Sequence, residues 1–202
     1  MKEIEGVVKY SLEFTQTEAL EFEKIQEIEE TRVDLYALNL IGAYEDGIGF
    51  GNISQKEENS SKFFITATQT GHLKDLKSED YSLVEKVDFE SFTTYASGAS
   101  KPSSEALTHG CIYELDKDIN AIIHVHNEKL WRYMLENGYV STSDVEYGSL
   151  EMVQDIQKIY STLTPLDNRA FVMKGHFEGV FTFGKTMQEA KEELYKILAK
   201  VI

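Results

Sequence analysis

The chain has 202 residues, 42% of them hydrophobic, and 20 basic against 35 acidic side chains give it a net charge of −15. That length predicts one domain, residues 1–202, with a sizeable core. The acidic balance argues against nucleic acid and anionic membrane surfaces as main partners, although a small phosphorylated ligand can still be held by local N–H and hydroxyl donors.

Nothing resembles a membrane span of about 18 apolar residues, and the opening MKEIEGVVKYSLEF lacks the apolar core of a signal peptide. The single cysteine, Cys111, rules out an internal disulfide framework and fits a reducing cytoplasm. Thr15 followed by Glu18 predicts a capping box opening a helix through Leu20, Ile25, Ile28 and Leu35, closing near Gly42. Four glycines between 42 and 51 then mark a loop or a hairpin where backbone approaches a ligand. KFFITATQTG reads as a strand ending in a polar turn, with His72 a loop residue beyond it. Pro102 and two serines open a helix carrying Leu107, Cys111, Ile112 and Leu115.

A strand follows, then a helix stopped by Gly138, and another helix over LEMVQDIQKIYSTL. RAFVMKGHFEGVFTFG reads as two short strands broken at Gly175. Thr186 and Glu189 predict a capping box for the last helix, with Met187, Ala190, Leu194, Ile197 and Val201 on one face. Strands interleaved with helices predict an α/β fold on a mixed or antiparallel sheet.

The chemistry concentrates around INAIIHVH. Side chains alternate along a strand, so Ile122, His124 and His126 share one face and Ala121, Ile123 and Val125 the other. Two neighbouring imidazoles pack poorly in a core but suit one metal ion. A third, His176, lies in KGHFEG between the two late strands; three histidines with an open fourth position are the pattern of a catalytic site. Glu105, at the start of the helix feeding that strand, is the candidate ligand or acid/base. His109, one helical turn after Glu105, forms a ligand or hydrogen-bonding pair with it or serves structure instead of binding metal. Three polar turns could cradle an anion: Gly51–Ser54, Thr68–Gly71 and Ser103-Ser104.

The order GNxS, TxTG, PSSE, HxH and a late GH, from about Thr31 to the last helix, resembles the class II aldolase/adducin family. The resemblance implies a three-layer α/β/α sandwich around a mostly antiparallel central sheet, and a homotetramer with active sites at subunit interfaces. It implies one Zn2+ per subunit on His124, His126 and His176. Glu105 becomes the catalytic acid/base, able to ligate zinc when no substrate is present. Asn52, Thr70, Gly71, Ser103 and Ser104 match phosphate-binding positions.

The activity implied is a zinc-dependent aldolase-type lyase on a small phosphorylated ketose, with zinc stabilising an enediolate. A dehydratase, a 4-epimerase or a non-catalytic adducin-like binding module are the alternatives, although the epimerases carry aspartate where Glu105 stands. ATQTG also has a glutamine where sugar-phosphate aldolases commonly have a shorter, proline-containing turn. The sequence ends with the last helix, without the tail that brings a tyrosine to the site in relatives. Tyr133, Tyr139 and Tyr147 are the candidate proton donors from a neighbouring subunit. Trp131 and Tyr133 would suit an interface.

Overall fold

The computed structural model describes residues 8–162 and 169–201. In chain order the elements are β1 (Ser11–Gln16), α1 (Phe22–Ala37), β2 (Gly42–Ala43), β3 (Gly49–Phe50), β4 (Asn52–Lys56), β5 (Phe63–Thr66), β6 (Tyr81–Asp88) and β7 (Thr93–Gly98). Then come α2 (Ala106–Leu115), β8 (Ala121–His126), α3 (Glu128–Glu136), α4 (Leu150–Tyr160), β9 (Ala170–Val172), β10 (Gly179–Gly184) and α5 (Met187–Leu198). Eight strands make one sheet in the order β1-β7-β6-β5-β4-β8-β10-β9, while β2 and β3 form a separate hairpin. Every neighbouring pair in the large sheet is antiparallel except β1 with β7.

The sheet separates two apolar layers, and β8 shows how the sequence dictates them. Ala121, Ile123 and Val125 pack with Ile25 and Leu35 of α1, Leu130 and Met134 of α3, and Leu194 and Ile197 of α5. Ile122 faces the other way, toward Leu107 and Ile112 of α2 and Met152 and Ile156 of α4. The fold is thus the expected three-layer sandwich, with β8 buried along its whole length. Helix α2 is buried on all sides over Ala106–Tyr113, as an apolar helix roofed by a second helix should be.

Three element readings change. Thr15 does not cap a helix: it lies in β1, where Leu12 and Phe14 alternate toward the core. Helix α1 starts only at Phe22, without a side-chain cap, and ends at Ala37 well before Gly42. Strands β6 and β7 fall in a stretch for which the sequence predicts no element; in β6 a register shift between Val84 and Lys86 interrupts the alternation. At α5, Thr186 caps Glu189 N–H, but the Glu189 carboxylate accepts from Lys185 N–H instead of closing the box. Leu163, the last residue of the fourth predicted helix, lies outside the described residues. Among the described residues no helix is long and apolar enough to cross a membrane.

Candidate metal centre and adjoining cleft

His124 and His126 stand on the sheet face of Ile122, and His176 comes from the turn between β9 and β10. All three are buried, and their ligand nitrogens lie within 4.8 Å of one another. Nε2 of His126 is 3.0 Å from Nε2 of His124 and 3.1 Å from Nε2 of His176. Ligands about 2.0–2.1 Å from a tetrahedral ion would be about 3.3 Å apart, so the spacing suits one small divalent cation.

The tautomers point the same way. Nδ1 of His124 lies 3.2 Å from the Val180 carbonyl, which can only accept, so Nδ1 carries the proton and Nε2 the lone pair. Nδ1 of His126 lies 2.8 Å from the Tyr44 hydroxyl. That hydroxyl donates its one proton to Glu178 Oε2 at 3.0 Å, so it accepts from Nδ1 and again leaves Nε2 bare. Two lone pairs aimed at each other across 3.0 Å are repulsive until a cation lies between them. Burial, with His176 and His124 alongside, holds His126 well below the usual imidazole range and therefore neutral, as a ligand must be. The donor set fits a divalent metal.

Glu105 occupies the N-cap position of α2, one residue before the first helical turn. Its Oε2 is 3.0 Å from His124 Nε2 and its Oε1 3.9 Å from His176 Nε2. No well-formed hydrogen bond reaches either buried oxygen among the described residues. Burial disfavours the anion, and positive charge among the neighbouring imidazoles, His124 first, favours it; with those rings neutral, a cation held between them would take that part. A buried carboxyl whose oxygens keep open lone pairs beside three imidazoles can, once ionised, ligate a metal or accept a proton.

A cleft opens in front of this group, lined by Asn52, Thr70, Gly71, Ser103, Ser104, Glu105, His124 and His126. The expected phosphate-contacting residues thus share one cleft with two of the three histidines. Gly51 must be glycine: its φ is +75°, and a Cβ would lie 2.9 Å from the Ile41 side chain. Gly71 is equally constrained, since a Cβ there would stand 1.9 Å from the Gly42 carbonyl oxygen. Thr70 Oγ1 donates to Ala67 O, and Ser103 Oγ accepts from Glu105 N–H. Tyr10 donates to Ser103 O from below.

His109 does not pair with Glu105. Its Nε2 lies 2.6 Å from Asn52 Oδ1 and its Nδ1 2.6 Å from Ser54 Oγ, which in turn meets the Tyr113 hydroxyl at 2.8 Å. His72 is a loop residue, with Nδ1 3.1 Å from Gln69 O. Of the tyrosines singled out, Tyr147 packs its ring 4.7 Å from that of His176, while Tyr133 and Tyr139 pack on the opposite layer with α3. Tyr44, Phe50 and Glu178 were not foreseen. Only the glycine-rich run around the first two hinted at backbone folded against a ligand site.

The model of the Class II Aldolase and Adducin N-terminal domain family matches residues 43–198. Among solved structures, an L-fuculose 1-phosphate aldolase superposes with a TM-score of 0.64 at 21% identity, over 90% of this chain and 88% of that one. A sugar-phosphate aldolase from Thermotoga maritima gives 0.65 at 20% identity, over 87% and 90%. YgbL from Escherichia coli gives 0.64 at 19% identity, over 90% and 88%. At these identities the likeness is one of fold.

Proposed function

The chain belongs to the class II aldolase and adducin N-terminal domain family, and on that premise we propose that it is a zinc-dependent lyase of aldolase type acting on a small phosphorylated ketose. The observation that carries the reading is the buried Glu105 carboxyl 3.0 Å from His124 in a group of three imidazoles, two of which line a cleft shared with Asn52, Thr70, Gly71, Ser103 and Ser104. Nitrogen ligands favour zinc over the hard cations that select oxygen. When bound, the metal supplies Lewis-acid polarisation of a ketose carbonyl.

The chain's own residues do the rest. His124, His126 and His176 hold the ion, and Glu105 moves the proton. In the condensation direction it takes a proton from the hydroxymethyl carbon next to the ketone; in cleavage the carbon–carbon bond breaks as the hydroxyl that becomes the aldehyde gives up its proton, and that loss balances the proton Glu105 delivers to the carbon left behind. Its position at the N-terminus of α2 favours the anion when it is the resting state. The Asn52 amide, the Thr70-Gly71 turn and the Ser103-Ser104 turn are assigned to the phosphate. The reading also makes the protein a cytoplasmic homotetramer.

The test is paired on one sample of Glu105→Gln. Bound zinc should be retained, because three histidines suffice to hold it. Cleavage of the best substrate from a panel of ketose phosphates should fall about 10²–10⁴-fold. Full zinc with an undiminished rate would show that the base is another group. A zinc-loaded wild type that turns over no member of the panel, in retro-aldol or dehydration assays, would favour an adducin-like binding module instead.

A further inference from the structure

We infer that Glu178 and Tyr44 form a relay that orients His126 and strengthens its Nε2 as a metal ligand, with the β2–β3 hairpin there to deliver it. The inference rests on the reading of the three histidines as a zinc site. Its geometry is directional. The phenol proton goes to Glu178 Oε2 at 3.0 Å, and the phenol oxygen receives the Nδ1 proton of His126 at 2.8 Å. A carboxylate pulling on that phenol makes it a better acceptor, which pushes electron density toward Nε2. His124 is oriented by a backbone carbonyl. For His126 the orienting group is a side chain, so it can be removed by substitution.

Two further features show that the local structure is arranged around this contact. The hairpin turns tightly just after Tyr44, with Tyr44 N–H donating to Ile48 O and Gly47 at φ +84°. The Phe50 ring, at the hairpin's other end, lies 4.6 Å from the Tyr44 ring and stacks 5.5 Å from His126 at 29°. Both aromatic side chains of the hairpin thus bear on one imidazole.

The second feature is strain. Glu178 has φ +67°, a left-handed conformation that favours glycine. It directly precedes Gly179, the register partner of His126, so its side chain leaves the turn beside that imidazole. A glycine at 178 would relieve the backbone but remove the carboxylate.

Zinc affinity, measured by competition with a chromophoric chelator at fixed pH, tests the relay without reference to turnover. Tyr44→Phe keeps the ring against Phe50 and should weaken zinc binding about 10–100-fold. Glu178→Gln should weaken it too, and the double variant should bind no worse than Tyr44→Phe alone, because Glu178 acts through the phenol. Glu178→Gly separates positioning from plain stability: the apo thermal midpoint should rise as strain is released, while zinc affinity falls. A residue that only supports the fold would not move the two in opposite directions. Unchanged affinity in Tyr44→Phe, additive losses in the double variant, or wild-type affinity in Glu178→Gly would each overturn the relay and leave the zinc site standing. A wild type that binds no zinc would overturn both.

Discussion

His109 shows what one buried side chain can be asked to do. Asn52 Oδ1 can only accept, so His109 Nε2 holds the proton. Nδ1 then accepts from Ser54, and Ser54 accepts from Tyr113. Holding Asn52 Oδ1 on His109 fixes which way the amide is turned, and Asn52 lines the cleft. Burial holds His109 down to about 3, from an ordinary 6.5. Between those values the unfolded chain takes up a proton that the folded one refuses. His109 should therefore leave stability intact above about pH 6.5 and erode it as pH falls toward 3.

Urea midpoints collected from neutral to acid pH should show this, and His109→Gln should have the shallower acid slope. The variant should also be about 1–3 kcal/mol less stable at neutral pH, from the hydrogen bonds it disturbs. Parallel pH curves for variant and wild type would dismiss the idea. Legibility at this scale follows chain distance. His124 and His126 can be read because strand alternation is local, and His109 sits one turn from Glu105. Tyr44 and Glu178 meet 134 positions apart, and no spacing rule reaches that far.

Among the elements, α1 does more than cover the sheet. Ile25, Ile28 and Leu35 follow the helical period, but Glu29 and Arg32 are buried on the same helix. Arg32 Nε donates to Glu29 Oε2 at 2.8 Å, and its Nη atoms donate to the carbonyls of Leu73 and Lys74. Glu29 also accepts from Leu76 N–H at 2.7 Å and from Tyr81 OH at 2.6 Å. The pair clamps the segment that runs on from the Thr68–Gly71 turn, so the cleft's wall is anchored by a helix.

Arg32→Met should cost about 3–5 kcal/mol in urea unfolding, since it leaves a buried carboxylate without its cation. Arg32→Met combined with Glu29→Gln should recover part of that loss. A single-variant cost under about 1 kcal/mol would show that solvent reaches the clamp. The element readings that failed share a cause. Thr15–Glu18 has the composition of a cap, yet partner strand β7 determines what the segment becomes. The bulge in β6 hides a strand from any search for period 2. Long-range pairing decides both, and single-sequence patterns carry no record of it.

For the whole molecule, the proposed tetramer has to form against charge. Each copy carries a net −15, so association is opposed by repulsion that salt screens. Apolar contact must supply the attraction, and one candidate patch stands beside the metal centre. Phe177 is 51% exposed; it follows His176 directly and meets Trp131 edge-on at 5.4 Å. The Trp131 indole N–H is already used, donating to Met173 O at 2.7 Å, so its ring edge and Phe177 are presented as a fixed apolar surface.

Light scattering at micromolar concentration should give a mass well above the 23.0 kDa subunit, and the assembly should tighten as sodium chloride is raised from low to moderate concentration. Phe177→Glu adds another negative charge at the patch and should shift the protein toward smaller species while its circular dichroism stays unchanged. Because residue 177 adjoins a histidine of the metal set, dissociation should also loosen zinc binding. A 23.0 kDa species at every salt concentration would remove the tetramer, and with it any role for a neighbouring subunit's tyrosine. An unchanged mass in Phe177→Glu would place the interface elsewhere on the molecule.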